Sequence, residues 1–494
     1  MAVLLSATGA FAQPLVYSNN LDSTDASGFM KFQVTLGTGA TPLLDSDAFF
    51  GFNFGAAYPW DSGVTYTGTA PLNTTIPPHP GTGVTRGLML RANMTQIDNP
   101  AGSNNVSVET INVAPKLKLT GDYRIEVDTW GQVQSSGTST QLGMIGSQHN
   151  LRSGWMQNWS GNGYSLGFVH DGSSGTDYRL FRGLTWDNPI NIIGSSNPFY
   201  GATNTATGAT SNQLNNTNAY YNTYMTVAGG YRYAGATANR WIRMIVTRTG
   251  DNLKVEFQNI DQTTGAPVGP ALLVCNGDVT TPIVSATTGA TVAATVQEDG
   301  APWMGFFDPA ASPRPVDYPL FSIFNNLKVY GTIKQDVMYG TFELGDWTGS
   351  YPASVVMRAY DSSDTQIGGD ITAALRKNDT TGKQDYFIDL PAGTVAVRSR
   401  FNGGVTQKIE VGGSGPFQKN FVLKNGDCDR DDTVSILDYL AVSAYYEKDN
   451  SDPNWSVDDP NTGTTMEKTD LDGDNTISIL DYIILSTNYE AAGE

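Results

Sequence analysis

The stretch Asp427-Cys428-Asp429-Arg430-Asp431-Asp432-Thr433-Val434-Ser435-Ile436-Leu437-Asp438-Tyr439 returns as Asp470-Leu471-Asp472-Gly473-Asp474-Asn475-Thr476-Ile477-Ser478-Ile479-Leu480-Asp481-Tyr482. Each copy places carboxylates at positions 1, 3, 5 and 12 of a twelve-residue loop. A hard cation such as calcium takes about six to eight oxygens, and this spacing lets one loop wrap it. Candidate ligands are therefore Asp427, Asp429, Asp431 and Asp438 in the first copy, and Asp470, Asp472, Asp474 and Asp481 in the second. Thr433 and Thr476 would offer backbone carbonyls at position 7. Ser435 and Ser478, at position 9, would act directly or through water. Two calcium ions are the expected complement.

Position 6 of such a loop needs a positive φ and is usually glycine. Here it is Asp432 or Asn475, the non-glycine types that tolerate that region best. Val434 and Ile477 at position 8 are the apolar anchors. A helix is predicted after each loop, with Leu437, Leu440, Ala441 and Ala444, then Leu480, Ile483, Ile484 and Thr487, on the face toward the partner helix. No helix is predicted before either loop, and Phe421-Val422-Leu423 reads as a closing strand.

The charge agrees with a localised cation site. The chain of 494 residues has a net charge of −19. From Asn425 to Glu494 there are 17 acidic and 3 basic residues, a balance of −14, while the other 31 acidic and 26 basic residues leave only −5. A basic surface is absent, which argues against a nucleic-acid partner.

Loop-then-helix used twice resembles the dockerin type I module, over residues 425–494. That resemblance implies calcium-dependent docking to a cohesin-like protein. In dockerins, positions 10 and 11 carry recognition residues and are often Ser-Thr. Here they are Ile436-Leu437 and Ile479-Leu480. The linker between the copies, including Asp449-Asn450-Ser451-Asp452-Pro453-Asn454-Trp455, is also longer than in most dockerins. The partner is thus open between a cohesin-like protein and the chain's own neighbouring domain. At least one Ile-Leu pair is expected to be covered by one of these; the alternative is that both pack into the module's own core.

Upstream, only 16% of residues are charged and 11% are aromatic, with abundant Gly, Thr, Ser and Asn. That composition reads as many short strands joined by turns, hence mainly β. The length implies roughly three domains. Residues 13–333 alternate apolar and polar positions, as in Tyr123-Arg124-Ile125-Glu126-Val127-Asp128 and Trp241-Ile242-Arg243-Met244-Ile245-Val246. Gly121-Asp122-Tyr123-Arg124 through Trp130, with the closing Phe324-Asn325-Asn326-Leu327-Lys328-Val329, resembles the concanavalin-like or laminin-G-like jelly rolls of bacterial surface proteins. Residues 334–424 contain Tyr339–Leu344, Ser354–Tyr360, Tyr386–Leu390 and Val395–Arg398 as strands. They resemble the regulatory-like or prealbumin-like sandwiches that act as spacers. The predicted fold is a large jelly-roll β-sandwich, a small β-sandwich and a small helical calcium module.

Ala10-Phe11-Ala12 is an A-x-A cleavage signal, with cleavage expected before Gln13. Residues 1–12 therefore read as the remnant of a signal peptide, the alternative being a buried first strand, and the protein as secreted or held at a cell surface. No stretch reaches the ~18–20 apolar residues of a membrane span. Cys275 and Cys428 are expected to be free thiols, with Cys428 pointing outward from its loop.

The large domain invites three readings: a non-catalytic protein that binds glycan or extracellular matrix, a polysaccharide-degrading glycoside hydrolase, and a structural envelope or matrix component. Aromatic rings suited to stacking on sugars concentrate in loop-rich sequence: Trp155, Trp159, Tyr164, Trp186, Tyr220 and Tyr221. Glu126-Val127-Asp128 begins like the laminarinase-type signature Glu-x-Asp-x-x-Glu, but Gly131 stands where the acid/base belongs. Retaining hydrolysis needs two carboxyl groups about 5–5.5 Å apart, one of them a proton donor. The non-catalytic reading therefore leads, with Glu126 and Asp128 as a polar pair on an outer sheet face. His79, His149 and His170 match no zinc spacing. Asp171–Asp177 reads as a turn or a further calcium loop.

Overall fold

A computed structural model describes residues 13–36, 46–55, 76–92, 108–131, 142–151, 164–169, 178–182, 240–278, 283–284, 291–292, 299–308, 321–378 and 380–494. The protein is mostly β, with a small helical region at its C-terminal end. It divides into two compact units, residues 1–333 and 334–494.

The first unit is a sandwich of two antiparallel sheets. One runs in the order Leu272–Asp278, Asn252–Asn259, Trp241–Thr249, Leu119–Gly131, Ser322–Ile333, Arg86–Ala92, Ser46–Asn53, with Leu15–Asn19 also pairing with Ser322–Ile333. The other runs Phe29–Leu36, Val108–Pro115, Ala301–Asp308, Leu142–His149, Tyr164–Val169, Tyr178–Arg182. Successive side chains on a strand point to opposite faces. Tyr123, Ile125 and Val127 thus face inward with Met244, Val246 and Phe324, against Ile111, Val113, Phe168 and Phe306 of the other sheet. Each such side chain removed from water contributes about 1.5–3 kcal/mol, which makes this core the main support of the unit.

The outer face of the first sheet is covered as well. Trp130, Trp241, Met89 and Ile323 point away from the main core and join Phe54, Ile76, Ile260 and Phe321 in a second cluster. Asp128 lies beneath this cover and has no exposure. Glu126 and Asp128 share a face, but they are not the solvent-facing pair that alternation alone predicts, because the chain folds back over that part of the sheet.

In the second unit two smaller sheets enclose Met338, Phe342, Val355, Met357, Tyr386, Ile388, Val397 and Phe421. One sheet runs Arg376–Lys377, Gln384–Asp389, Val337–Leu344, with Phe417–Gln418 and Phe421–Leu423 both parallel to the last of these. The other runs Gln366–Ala374, Ser354–Tyr360, Ala396–Ser399, Gln407–Glu410. Phe421–Leu423 leads directly into the first acidic loop.

Three helices follow among the described residues: α1, Ile436–Ala444; α2, Met466–Thr469; and α3, Ile479–Thr487. The short α2, capped by the Thr465 side chain on the Lys468 N–H, precedes the second loop where no helix was predicted. The inward stripe also differs from the predicted one. Ala441 and Val442 of α1 and Ile484 and Leu485 of α3 are buried, whereas Leu437, Leu440, Leu480 and Ile483 are exposed. Both helices are apolar on most sides, so their periodicity does not select the core face.

Candidate metal centre and docking face

The two acidic loops share their bonds at positions 3 and 12. At position 12, Asp438 Oδ1 accepts the Cys428 N–H at 2.6 Å and Oδ2 accepts the Ser435 N–H at 2.7 Å. Asp481 takes the Leu471 N–H at 2.5 Å and the Ser478 N–H at 2.6 Å. Position 3 accepts from position 5 in both copies, Asp431 N–H to Asp429 and Asp474 N–H to Asp472, each at 3.1 Å. The chain turns through positive φ at Asp432 (71°) and Asn475 (70°). It does so again at position 4, where Arg430 has φ 67° and Gly473 has φ 73°. Only Gly473 gave a sequence signal for that second turn. A Cβ there would sit 2.8 Å from the Gly349 nitrogen, so the close approach requires glycine.

Each loop is paired with the segment that leaves the other copy's helix. Val434 N–H donates to the Ala491 carbonyl at 2.7 Å, and Glu490 N–H to the Val434 carbonyl at 2.9 Å. Ile477 N–H donates to Lys448 and Glu447 N–H to Ile477, both at 2.8 Å. Val434 and Ile477 are fully buried. Cys428 and Leu471 at position 2 are equally buried in the same cluster. Cys428 is a free thiol, but it points inward, contrary to expectation. The adjoining sandwich covers this side of the loops, which loop spacing alone does not reveal. Cys275 lies on a strand, and its side chain is outside the described residues.

Ligand-capable oxygens of Asp427, Asp429 and Asp431 lie within 4.8 Å of one another, as do those of Asp470, Asp472 and Asp481. Asp438 and Asp474 are not in these tightest groups. Ser435 and Ser478 are helix N-caps whose Oγ atoms accept the Leu437 and Leu480 N–H groups at 3.1 Å. Burial raises the Asp427 pKa to about 6, opposed by Arg400 and reinforced by Asp438. Burial raises Asp470 to about 7, opposed by the Asn475 N–H and reinforced by Asp481. Asp438 and Asp481 are raised too, mainly by burial. Asp427 Oδ1 is buried and has no hydrogen-bond partner. Crowded hard oxygens, one of them unsatisfied, with Asp427, Asp438, Asp470 and Asp481 held in a setting that disfavours their charge, fit a divalent cation.

A second feature lies on the helices. Ile436 (56% exposed), Leu437 (55%), Ile479 (59%) and Leu480 (49%) are all open to solvent. Both expectations that kept them inside the chain are thereby corrected: neither the module's core nor the adjoining sandwich covers them. Tyr439 and Tyr446 pack on Tyr482 at 5.0 and 5.7 Å between ring centroids. An open cleft of about 620 Å³ lies between them, lined also by Ser443, Ile479, Ile483 and Ser486.

In the first unit, Trp155, Trp159, Trp186, Tyr220 and Tyr221 lie outside the described residues, as do His170 and Asp171–Asp177. Tyr164 begins a strand, and its side chain is not described. Asp128 is tied to Arg243 by bonds of 2.7 and 3.0 Å, to His79 Nε2 at 3.0 Å and to Asn326 at 2.8 Å. Burial would raise its pKa, but the bonds from His79, Arg243 and Asn326 prevail and hold it low. A buried carboxylate so occupied cannot reach a substrate. Glu126 pairs with Arg124 at 2.7 Å.

The geometry defines a duplicated loop–helix module with paired acidic clusters and an exposed apolar face. Residues 425–488 match the model of the dockerin type I domain. No curated protein matches the chain. Among solved structures, a type II cohesin–X–dockerin complex from Acetivibrio cellulolyticus is 15% identical, covering 32% of this chain and 97% of its own, with a TM-score of 0.24. A Bacillus subtilis protein with a galectin-like fold is 9% identical over 65% of this chain and 99% of its own, TM-score 0.28. A glycoside hydrolase family protein from Mycobacterium thermorestibile is 10% identical over 64% and 100%, TM-score 0.29. Among the described residues no helix is long and apolar enough to cross a membrane.

Proposed function

We infer that this is a secreted attachment protein, in which residues 425–494 hold two calcium ions and dock a cohesin-like partner through the exposed faces of α1 and α3. Residues 13–333 bind glycan or matrix, and residues 334–424 hold the docking module. The reading rests above all on the symmetric exposure of Ile436-Leu437 and Ile479-Leu480 beside the acidic loops. Side chains of this size normally leave water, each worth about 1.5–3 kcal/mol when buried. Two related pairs on one face favour a protein contact.

The calcium ligands we assign are Asp427, Asp429, Asp431, Asp438, Asp470, Asp472, Asp474 and Asp481, with Thr433, Ser435, Thr476 and Ser478 completing the shells. When bound, calcium supplies the positive charge that lets these carboxylates stay ionised and close together. The test is capture of the full chain on a panel of immobilised cohesins, with calcium and with chelator, alongside a glycan array. Calcium-dependent capture supports docking. Failure on every cohesin in calcium contradicts it, and a blank array removes the glycan assignment.

A further inference from the structure

The two loops differ where their first carboxylates are held. In the second loop both Asp470 oxygens are used locally, by the Gly473 N–H at 2.9 Å and the Asn475 N–H at 2.9 Å. In the first, Oδ1 of Asp427 has no partner. Its Oδ2 accepts the Asp432 N–H at 3.2 Å and a guanidinium N–H of Arg400 at 2.8 Å. Arg400 belongs to the small sandwich, just beyond the strand Ala396–Ser399. The segment that follows it grips the same loop. The Gly403 carbonyl accepts the N–H groups of Gly426 at 2.8 Å and Asp427 at 2.7 Å. Thr406 N–H donates to Asp432 Oδ1 at 2.6 Å. The sandwich meets the second loop differently, through Thr348, whose N–H and Oγ donate to the Asp472 carbonyl at 2.6 and 2.8 Å. No cationic side chain is paired with Asp470 or Asp481 among the described ion pairs.

We propose that Arg400 is a built-in counter-cation of the first loop, which holds that loop folded without calcium and makes the two calcium sites unequal. The inference rests on the calcium reading above. The guanidinium is bonded to Asp427, the first of five carboxylates carried by the calcium-free loop together with Asp429, Asp431, Asp432 and Asp438. Calcium cancels two of those charges and adds a like charge nearby, so Arg400 is attracted more strongly before the ion enters than after. By linkage, a group that prefers the empty loop weakens calcium binding, and calcium weakens its tie in return. Among the described residues the second loop has no such cation, and Asp470, Asp472 and Asp481 there are all buried. It is the tighter and the more calcium-dependent of the two.

The test compares the full chain with its Arg400→Gln and Arg400→Lys variants. Calcium isotherms are measured with one loop disabled at a time, by Asp472→Asn or Asp429→Asn, and thermal unfolding is followed in chelator and in saturating calcium. Arg400→Gln is expected to tighten calcium binding to the first loop by about fivefold or more and to leave the second unchanged. It should lower the melting temperature more in chelator than in calcium, with Arg400→Lys close to wild type. An equal loss in both conditions, including unfolding in both, would make the pair a plain structural ion pair and overturn the proposal. Weaker calcium binding at the first loop would also overturn it, making Arg400 a support of the bound ion instead. A wild-type chain that binds no calcium would remove the calcium reading itself, a result distinct from these.

Discussion

Ser478 and Asp481 cap each other: the Asp481 carboxylate accepts the Ser478 backbone N–H while the Ser478 hydroxyl accepts the Leu480 N–H. The end of the second acidic loop is therefore the start of α3, and Ser435 with Asp438 makes the same joint at α1. A residue in this place serves the helix whether or not a cation is present. Asp438→Ala or Asp481→Ala should cost about 1–2 kcal/mol of stability even in chelator. Asp429→Asn and Asp472→Asn should change stability chiefly in calcium. Thermal unfolding of each variant in both conditions checks the contrast.

The pH response of the calcium-free protein follows from the buried carboxylates. Asp427 titrates at about 6 and Asp470 at about 7, both above the ordinary 3.8. In that window the folded state binds more protons than the unfolded one, so stability falls as pH rises. In chelator, the transition of residues 334–494 should come at a higher temperature at pH 5.5 than at pH 7.5. Saturating calcium should reverse the order, because protons then compete with the ion. Calorimetry at the two pH values reads both signs.

The apolar helix face predicts variants that separate docking from folding. Ile436→Ser with Leu437→Thr, and Ile479→Ser with Leu480→Thr, alter exposed side chains, so each double variant should shift stability by no more than about 0.5 kcal/mol per residue. Calcium binding should persist while capture of the partner is lost. Unfolding of the module by either double variant would place these residues in the core and contradict the docking assignment.

In the first unit, Asp128 is the ion-pair partner of Arg243. Removing it leaves a largely buried cation unpaired, at a cost of about 3–5 kcal/mol. Asp128→Ala should lower the denaturant midpoint strongly, whereas Glu126→Gln, at a partly exposed site, should be near neutral. Neither variant should affect sugar release from β-glucans, because none is expected from the parent. Release that disappears in Glu126→Gln would show a hydrolase.

The acidic repeat was legible because loop ligation is local: spacing, turn residues and the apolar anchor all lie within thirteen letters. The mainly β character was legible for the same reason, since strand alternation is a local period. What escaped was set from a distance. Cys428 turns inward into a cluster that Val405 of the sandwich joins. Asp128 is buried by partners at His79, Arg243 and Asn326, which no sequence period links. The helices kept Leu440 and Ile483 outside because apolar residues surround them, leaving Ala441, Val442, Ile484 and Leu485 as the inner stripe. Arg400 gave no signal at all, since only the fold brings it to Asp427.

Equilibrium calcium binding to the full chain tests the central claim most directly. The wild-type chain should take up two ions, and Asp429→Asn and Asp472→Asn should each remove one while α1 and α3 persist in calcium. Binding of no ion, or loss of both ions from either single variant without unfolding, would contradict the assignment of one calcium to each loop.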